Sequence, residues 1–305
     1  MEGGYQLAMT KSALFVGLIT LDFIYLADSP PQNNQKLVAT DYTVAAGGPA
    51  TNAAVTFSHL SNQATVLGVL GSHQITQLIS KDLENCQVAI IDLESDKDTP
   101  PPVSSIIVTQ GTGERAVISI NAMKTQANIN SIPTSILENL ENLENIEIVL
   151  IDGHQMAISK IIAQNAKIQN IPIVIDGGSW KPGFAEILPF VDYAICSANF
   201  YPPHCQNQQD VFNYLQKFNI PHIAITQGEN PIQYLTNSVR DSVNVPKIQP
   251  VDTLGAGDIF HGAFCHYILE NSFVQALELA ANTAAKACQY FGTRNWLNAI
   301  GHKLR

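Results

Sequence analysis

Short runs of apolar, often β-branched residues alternate along the chain with segments whose apolar residues recur at helical spacing. The strand-like runs are residues 14–19, 65–70, 88–93, 146–151, 173–175, 193–196 and 223–226. Helical spacing lies between them, as in residues 158–168 and 211–218. This alternation predicts an α/β fold, in which helices cover both faces of a parallel sheet and ligands bind beyond the carboxyl ends of the strands.

Two regions depart from the alternation. Residues 36–46 and 103–121 contain extended runs with no intervening helix, and a Gly-containing connection at 110–114 divides the second region. We predict strands that stand off the main sheet. The sequence leaves open whether they cover a binding site or form a surface hairpin.

The composition limits the classes of partner. The chain has 305 residues, of which 46% are hydrophobic, and we predict one domain over residues 1–305. The formal net charge is −10 and Lys and Arg form no dense cluster. This charge argues against a nucleic-acid partner and suits a neutral substrate.

The sequence also predicts a cytoplasmic protein without a membrane contact. No stretch approaches the roughly 18 consecutive apolar residues that span a bilayer, and no secretory signal is visible at the start of the chain. Five widely spaced cysteines form no C-x-x-C pair, which is typical of reduced thiols.

A late glycine motif suggests a phosphate site. Residues 252–258 read Asp-Thr-Leu-Gly-Ala-Gly-Asp and lead into an apolar helical stretch. Gly255 and Gly257 let the backbone point successive N–H groups into one concavity, at the positive end of a helix dipole. We expect that dipole to favour the ionised form of Asp258, which would place a base beside a bound phosphate. A tight loop with an acidic first turn is the alternative.

An early glycine motif has a similar setting. Gly47 and Gly48 lead from an extended stretch into a segment of small and apolar residues that contains Asn52 and Ala54. A turn followed by a helix is the simplest interpretation of this segment alone.

Together the two motifs resemble those of the ribokinase, or PfkB-type, family of carbohydrate kinases. The family's early Gly-Gly-x-x-x-Asn-x-Ala element is matched by the segment just described, and its late Asp-Thr-x-Gly-Ala-Gly-Asp element by residues 252–258. Residues 17–22 look like the family's first strand, which ends in a sugar-binding aspartate, here Asp22. The resemblance implies a three-layer ribokinase-like fold, a small β-sheet lid over the sugar, use of ATP and Mg²⁺, and a homodimer formed through the lid.

The resemblance also implies roles for individual residues. Asp258 would accept the proton of the acceptor hydroxyl, while the amides of Gly255, Ala256 and Gly257 stabilise the transferred phosphoryl group. The implied sugar contacts are Asp22, Gly47, Gly48 and Asn52. The alternative roles are a strand-end cap for Asp22, a helix cap for Asn52 and turn formation for the two glycines.

The implied nucleotide contacts lie in the last third of the chain. The family's loop near the ATP phosphates is matched at Thr226 and Gly228, and the adenine would be bordered by Ala281, Asn282 and Gly292. The alternative is that residues 281 and 282 belong to an ordinary amphipathic helix that packs on the core, since such a helix would have the same spacing of apolar residues.

Some positions modify the family pattern. Pro49 stands where kinases of phosphorylated sugars tend to carry lysine, which favours an unphosphorylated acceptor. Pro202 stands in place of the glutamate of an Asn-x-x-Glu element that helps to hold Mg²⁺ in many members. Ketohexokinase-like relatives also lack the complete element. Asp252 and Thr253 are candidates for a monovalent-cation (K⁺) site, with a structural cap as the rival interpretation.

These expectations combine into one hypothesis. The chain would use ATP to phosphorylate a hydroxyl of a small unphosphorylated sugar. A nucleoside kinase on the same scaffold is one alternative. The other, motivated by Pro202, is a catalytically weak family member that senses a ligand or acts as a scaffold.

Overall fold

A computed structural model describes residues 10–120, 122–131, 134, 138 and 145–300. Its strands are β1 (Ser12–Val16), β2 (Thr20–Ala27), β3 (Asp41–Gly47), β4 (Gln63–Gly68), β5 (Val88–Asp92), β6 (Val103–Thr109), β7 (Arg115–Ser119), β8 (Ile148–Ile151), β9 (Ile173–Gly177), β10 (Tyr193–Ser197), β11 (His222–Gln227), β12 (Asn230–Thr236) and β13 (Val239–Val243). Its helices are α1 (Pro49–His59), α2 (Thr76–Asn85), α3 (Met156–Ile168), α4 (Phe184–Ile187), α5 (Gln208–Gln216), α6 (Ala256–Ile268), α7 (Phe273–Ala287) and α8 (Asn295–Ile300).

Within the described ranges, the main sheet has nine strands in the order β13-β12-β11-β10-β9-β8-β1-β4-β5. The strands from β11 to β5 are parallel, as the alternating pattern predicts, whereas β12 and β13 extend the sheet in antiparallel fashion. The sequence did not reveal β12 and β13, because exposed side chains fill most of β13 and weaken the apolar signal.

Side chains alternate between the two faces of the main sheet and enter two cores. Phe15 and Val66 belong to the core that includes residues of α1, α6 and α7. Leu14 and Leu67, their neighbours in sequence, belong to the core that includes residues of α3 and α5. The predicted three-layer arrangement of helices, sheet and helices is therefore confirmed.

A second, four-stranded sheet has the order β3-β2-β6-β7 in the described part of the chain. It contains the strands that the sequence predicted in residues 36–46 and 103–121, although residues 36–40 are not strand and residue 121 lies outside the described residues. One face of this sheet contributes Ile24, Ile106 and Val108 to a small core that includes Phe291. That contact fixes the small sheet against the segment that follows α7.

The prediction that the first strand ends at Asp22 is wrong. Strand β1 ends at Val16, and Asp22 is the third residue of β2 in the small sheet. The chain leaves the main sheet at Gly17, where a side chain would collide with the Asp152 carboxylate, and Leu18 donates its N–H to Asp152 Oδ2 at 2.9 Å.

Among the described residues, no helix has both the length and the apolar character needed to traverse a membrane.

Candidate active site

The early and late glycine motifs meet in one cleft. Asn52 on α1 donates from Nδ2 to Oδ2 of Asp258 on α6 at 2.9 Å, although 206 positions separate them. An added Cβ at Gly255 would lie 3.5 Å from Asn52 Nδ2 and 3.7 Å from Asp258 Oδ2. The structure thus brings together the residues that the sequence predicted for proton transfer and for sugar contact.

The start of α6 has the glycine-capped geometry on which the predicted cradle depends. Gly255 caps the helix with φ of 69°, a left-handed conformation that favours glycine. The first N–H groups of a helix have no intrahelical partner and attract anions. An added Cβ at Gly257 would meet no atom within 4 Å, so there is open space beside these groups. These N–H groups are therefore suited to an anion such as a phosphate group.

The ionisation of Asp258 differs from the expectation. Burial and, after it, the neighbouring Asp176 carboxylate raise the pKa of Asp258 to about 7, against the opposing effects of the Asn52 hydrogen bond and the charge of His261. The helix dipole was expected to dominate, but loss of water and a like charge outweigh it. A carboxyl group with a pKa near neutrality is suited to accept and release a proton at working pH.

His261 connects α6 with the main sheet and is buried. Its Nδ1 lies 2.7 Å from the Gly257 carbonyl oxygen and 3.5 Å from Asp176 Oδ2, while its Nε2 lies 3.2 Å from the Ile195 carbonyl oxygen. These contacts fix the ring beneath the start of α6.

Asp22 lines the same region from the small sheet. Its carboxylate packs against Gly47 so closely that no side chain fits at that position. The pKa of Asp22 is raised to about 6 by burial, which outweighs the lowering effects of the Ser104 side chain and of the Arg294 charge. Among described side chains, the buried Oδ1 of Asp22 has no hydrogen-bond partner. Because buried polar atoms are nearly always paired, this oxygen is suited to receive a ligand hydroxyl.

Asp152, which the sequence did not single out, fixes the early glycine turn. It follows β8 directly, and its Oδ2 accepts hydrogen bonds from the N–H groups of Leu18 at 2.9 Å and Ala50 at 3.1 Å. Burial acts to raise its pKa, but His154, Lys181 and the Leu18 N–H outweigh burial and lower it to about 2. Gly48, with φ of 101°, packs against the Leu18 backbone in the same turn.

Arg294, which the sequence analysis also did not identify, contacts the oxygen of the Asn52 amide. Its Nη1 donates to Asn52 Oδ1 at 3.0 Å, and its Nε donates to Asp82 Oδ2 at 3.1 Å. No local motif marks this arginine, because its partners come from helices more than 200 positions earlier.

The small sheet contacts the late motif through its β6–β7 hairpin. Thr253 donates from its N–H and Oγ1 to the Gly113 carbonyl oxygen at 3.2 and 2.9 Å. Arg115 Nη1 donates to Thr253 Oγ1 at 3.0 Å. The hairpin therefore lies against the loop that precedes the cradle.

The candidate cation ligands have other partners. Asp252 accepts hydrogen bonds from the N–H groups of Leu254 and Gly292, each at 2.8 Å, and burial raises its pKa. The Thr253 hydroxyl faces the Arg115 guanidinium, which would repel a cation. This geometry agrees with the structural cap that was the rival interpretation.

The predicted nucleotide residues are spread over three places. Gly228, with φ of 61°, lies in the open turn after Thr226 at the end of β11, and Gly292 packs against Thr43 of the small sheet. Ala281 is only 2% exposed and belongs to the core cluster that includes residues of α1 and α6, and its contact with adenine stays a prediction. Asn282 is exposed and donates to the Glu278 carbonyl oxygen at 2.9 Å. None of the hydrogen bonds found in the described chain joins Thr226, Gly228 or Asn282 to Asp258.

The described side chains form no dedicated Mg²⁺ cage. In the described part of the chain, no group of three or more His, Cys, Asp or Glu residues could hold a metal ion. Pro202, at the position of the family's glutamate, is buried.

Comparisons with known proteins bear on the family and the fold of this chain. A family model described as pfkB family carbohydrate kinase matches residues 10–299. The ribokinase of Lactococcus lactis is 23% identical over 94% of this chain and 93% of its own length. A structure of a putative ribokinase from Agrobacterium tumefaciens has a TM-score of 0.81 at 22% identity and covers 94% of both chains. The structure of Arabidopsis thaliana ribokinase complexed with ribose and ATP has a TM-score of 0.75 at 22% identity, covering 93% of this chain and 94% of that one.

Two further matches are to a ketohexokinase and to a nucleoside kinase. The ketohexokinase of Mus musculus is 22% identical over 91% of this chain and 96% of its own length. The structure of a nucleoside kinase from Methanocaldococcus jannaschii has a TM-score of 0.70 at 18% identity and covers 94% of both chains. The structural matches establish the ribokinase-like fold.

Proposed function

Because this chain belongs to the pfkB family of carbohydrate kinases, we propose that it transfers the γ-phosphoryl group of ATP to a hydroxyl of a small unphosphorylated sugar. The observation that carries the proposal is the hydrogen bond between Asn52 and Asp258 beside the open helix start at Gly257. It places a proton acceptor next to a row of N–H donors. Transfer of a phosphoryl group to an alcohol needs both groups in one place.

The proposed chemistry follows from these positions. Asp258 accepts the proton of the acceptor hydroxyl as the new O–P bond forms and the bond between the γ-phosphorus and the leaving ADP oxygen breaks. The N–H groups of Gly255, Ala256 and Gly257 stabilise the charge on the transferred phosphoryl group. Most of the rate enhancement comes from positioning and electrostatics.

The acceptor would lie between the two sheets. The unpaired Oδ1 of Asp22 and the amide of Asn52 are suited to sugar hydroxyls, and Gly47 and Gly48 allow the ring to approach the backbone. The charge of Arg294 is neutralised by Asp82, its ion-pair partner at 3.1 Å. An uncharged acceptor matches this cleft better than a sugar phosphate.

ATP and Mg²⁺ are proposed as the second substrate. Mg²⁺ commonly reaches kinases through the phosphates and retains several waters, so a site without a dedicated side-chain cage is compatible with it. It would supply charge neutralisation on the phosphates. Contact with the nucleotide stays a prediction for Thr226, Gly228, Ala281, Asn282 and Gly292. A K⁺ site at Asp252 and Thr253 stays a prediction as well.

A homodimer through the small sheet is also proposed. The outer face of that sheet exposes Tyr25, Tyr42 and Ile118, the last at 73%. Register pairs Tyr25 with Tyr42, so the two aromatic rings are neighbours on β2 and β3. An exposed apolar face of this kind is typical of a protein interface.

The experiment is an ADP-release assay with Mg·ATP and a panel of pentoses, hexoses, ketoses and nucleosides. We expect turnover with a free sugar and a thermal shift on addition of that sugar. Turnover with adenosine alone would favour the nucleoside kinase, whose scaffold is shared. No turnover with any acceptor, together with sugar-dependent stabilisation, would favour a ligand-sensing protein.

A further inference from the structure

Arg294 lies outside both glycine motifs, yet its guanidinium group joins four segments of the cleft. Nε donates to Asp82 on α2 at 3.1 Å, and Nη2 donates to the Ala46 carbonyl oxygen at 2.6 Å. Nη1 donates to Asn52 Oδ1 and to Thr293 Oγ1, both at 3.0 Å. A planar fork of five N–H donors allows one side chain to make all these contacts.

Ala46 is held through both of its backbone groups. It is buried in β3, at the edge of the small sheet, one position before Gly47. Its N–H donates to Asp82 Oδ2 at 2.9 Å, and its carbonyl oxygen accepts from Arg294. Buried backbone groups of an edge strand need partners. The two side chains supply them where no further strand does.

The orientation of the Asn52 amide follows from the same contact. Arginine only donates hydrogen bonds, so the atom of Asn52 that faces Arg294 must be the oxygen. The Nδ2 group then faces Asp258, at 2.9 Å. With the amide reversed, its oxygen would face the carboxylate and repel the ionised form, which is the form that acts as a base.

We propose that Arg294, neutralised by Asp82, is a positioning residue for the acceptor site: it fixes the end of β3 and keeps the Asn52 amide nitrogen directed at Asp258. This inference rests on the proposed function of the cleft. Arg294 and Asp82 bring no group to the reacting atoms, because their polar atoms contact other protein groups. Their effect passes through Ala46 and Asn52, and the charge of Arg294 also lowers the pKa of Asp22.

Other charges also act on Asp258, and they come from other elements. Asp176 on β9 and Asp152 after β8 raise its pKa, and His261 on α6 lowers it. These residues are untouched by a change at Arg294. A change in the Asp258 titration in such a variant would therefore be transmitted through Asn52.

The kinetic test uses Arg294→Met, Arg294→Lys and the control Arg240→Met. Arg240 packs over the Phe212 ring at 4.3 Å on the far strand β13, so its loss removes an arginine without touching the cleft. We expect Arg294→Met to lower kcat/KM for the acceptor about 10- to 100-fold, to raise the acceptor KM and to leave the ATP KM unchanged. Arg294→Lys keeps the charge but lacks the fork, so we expect an intermediate loss. Arg240→Met should match the wild type.

A second readout does not depend on turnover. The Asp258 carboxyl is titrated by ¹³C NMR in the ligand-free protein, with Asp258→Asn to assign the signal. We expect it to titrate at higher pH in Arg294→Met. In an Asn52→Ala background, the same substitution should cause no additional shift, because the connecting amide is gone.

The outcomes separate this inference from the proposed function. A wild-type protein that turns over no acceptor overturns the proposed function, while the titration still tests the Arg294 contact. Unchanged acceptor KM and unchanged titration in Arg294→Met overturn the inference even in an active enzyme. If Arg294→Met fails to fold, Asp82→Ala replaces it, because it removes the oxygen that accepts from Arg294 Nε and from the Ala46 N–H. A wild-type titration and acceptor KM in that variant would equally reject the positioning role.

Discussion

The Asn52 amide nitrogen holds Oδ2 of Asp258 at 2.9 Å, and this contact joins the start of α1 to the start of α6. One carboxylate oxygen is therefore fixed before any substrate binds. An incoming hydroxyl meets a proton acceptor whose orientation is already set, which reduces the entropy that the reaction must lose. The same contact favours the ionised carboxylate against the burial that opposes it.

Replacing the proposed base should separate chemistry from binding. In Asp258→Asn, the new amide still accepts a hydrogen bond from Asn52 but is not a base. We expect kcat to fall by at least about 100-fold, as is typical when general-base catalysis is lost, with little change in nucleotide affinity. ADP release measures the first quantity and isothermal titration calorimetry the second. A variant with near wild-type kcat would remove Asp258 from the mechanism.

The raised pKa of Asp258 predicts how stability depends on pH. Because the folded protein holds this proton to about pH 7, it binds more protons than the unfolded chain between the ordinary aspartate pKa and that value. Stability contributed by this site therefore falls as pH rises through the window. We expect Asp258→Asn to have a higher Tm than the wild type at pH 8, with the difference shrinking towards pH 4. A difference that is independent of pH would show that the site does not resist ionisation.

Asp22 is predicted to act on the acceptor alone. Its unpaired Oδ1 is placed for a sugar hydroxyl, and a hydrogen bond to a charged group contributes about 1.5–3 kcal/mol. Asp22→Asn should therefore raise the acceptor KM by roughly tenfold or more and leave the ATP KM unchanged, as initial-rate kinetics with each substrate varied would show. A raised ATP KM with an unchanged acceptor KM would move Asp22 out of the acceptor site.

The proposed dimer has a matched pair of surface tests. Ile118 on the outer face of the small sheet is 73% exposed, and Ile168 at the end of α3 is 78% exposed. We expect Ile118→Asp to convert the dimer to a monomer in light scattering, because a charge would be desolvated in the interface. Ile168→Asp should stay dimeric. Dissociation by both substitutions, or by neither, would contradict an interface on the small sheet.

The sequence predicted the parts of this cleft that local patterns encode. Glycines that lead into a helical stretch mark both motifs, and the order and spacing of the residues in the two motifs carried the resemblance to the family. The lid strands were predicted because residues 103–109 and 115–119 flank a turn and show no helical period. In each case the deciding information lies within a few residues.

What the sequence could not supply depends on tertiary neighbours. Arg294 and Asp152 act on residues more than 100 positions away, and no short pattern records such a contact. The pKa of Asp258 was misjudged for the same reason, because burial and Asp176 oppose the local helix dipole. Ala281 and Asn282 lie in a correctly predicted helix, but only the packing of that helix shows that the first faces the core and the second faces solvent.

The cradle at the start of α6 is tested most sharply by a single methyl group at Gly257. An added Cβ there would meet no atom within 4 Å, so the fold has room for alanine. Alanine also restricts the unfolded chain, so Gly257→Ala should raise the free energy of unfolding by about 0.4–1 kcal/mol. The Tm should therefore stay the same or rise. The methyl group would nevertheless occupy space that a phosphoryl group needs, so we expect kcat to fall by about tenfold or more.

Gly255→Ala is the matched control for that substitution. With φ of 69°, this position strains any other residue, so the same methyl group should lower the Tm. Activity and stability would then fall together at Gly255 but separate at Gly257. Full activity in a stable Gly257→Ala variant would mean that the phosphoryl group does not enter this cradle, since no transferred phosphate could share the space with the added carbon.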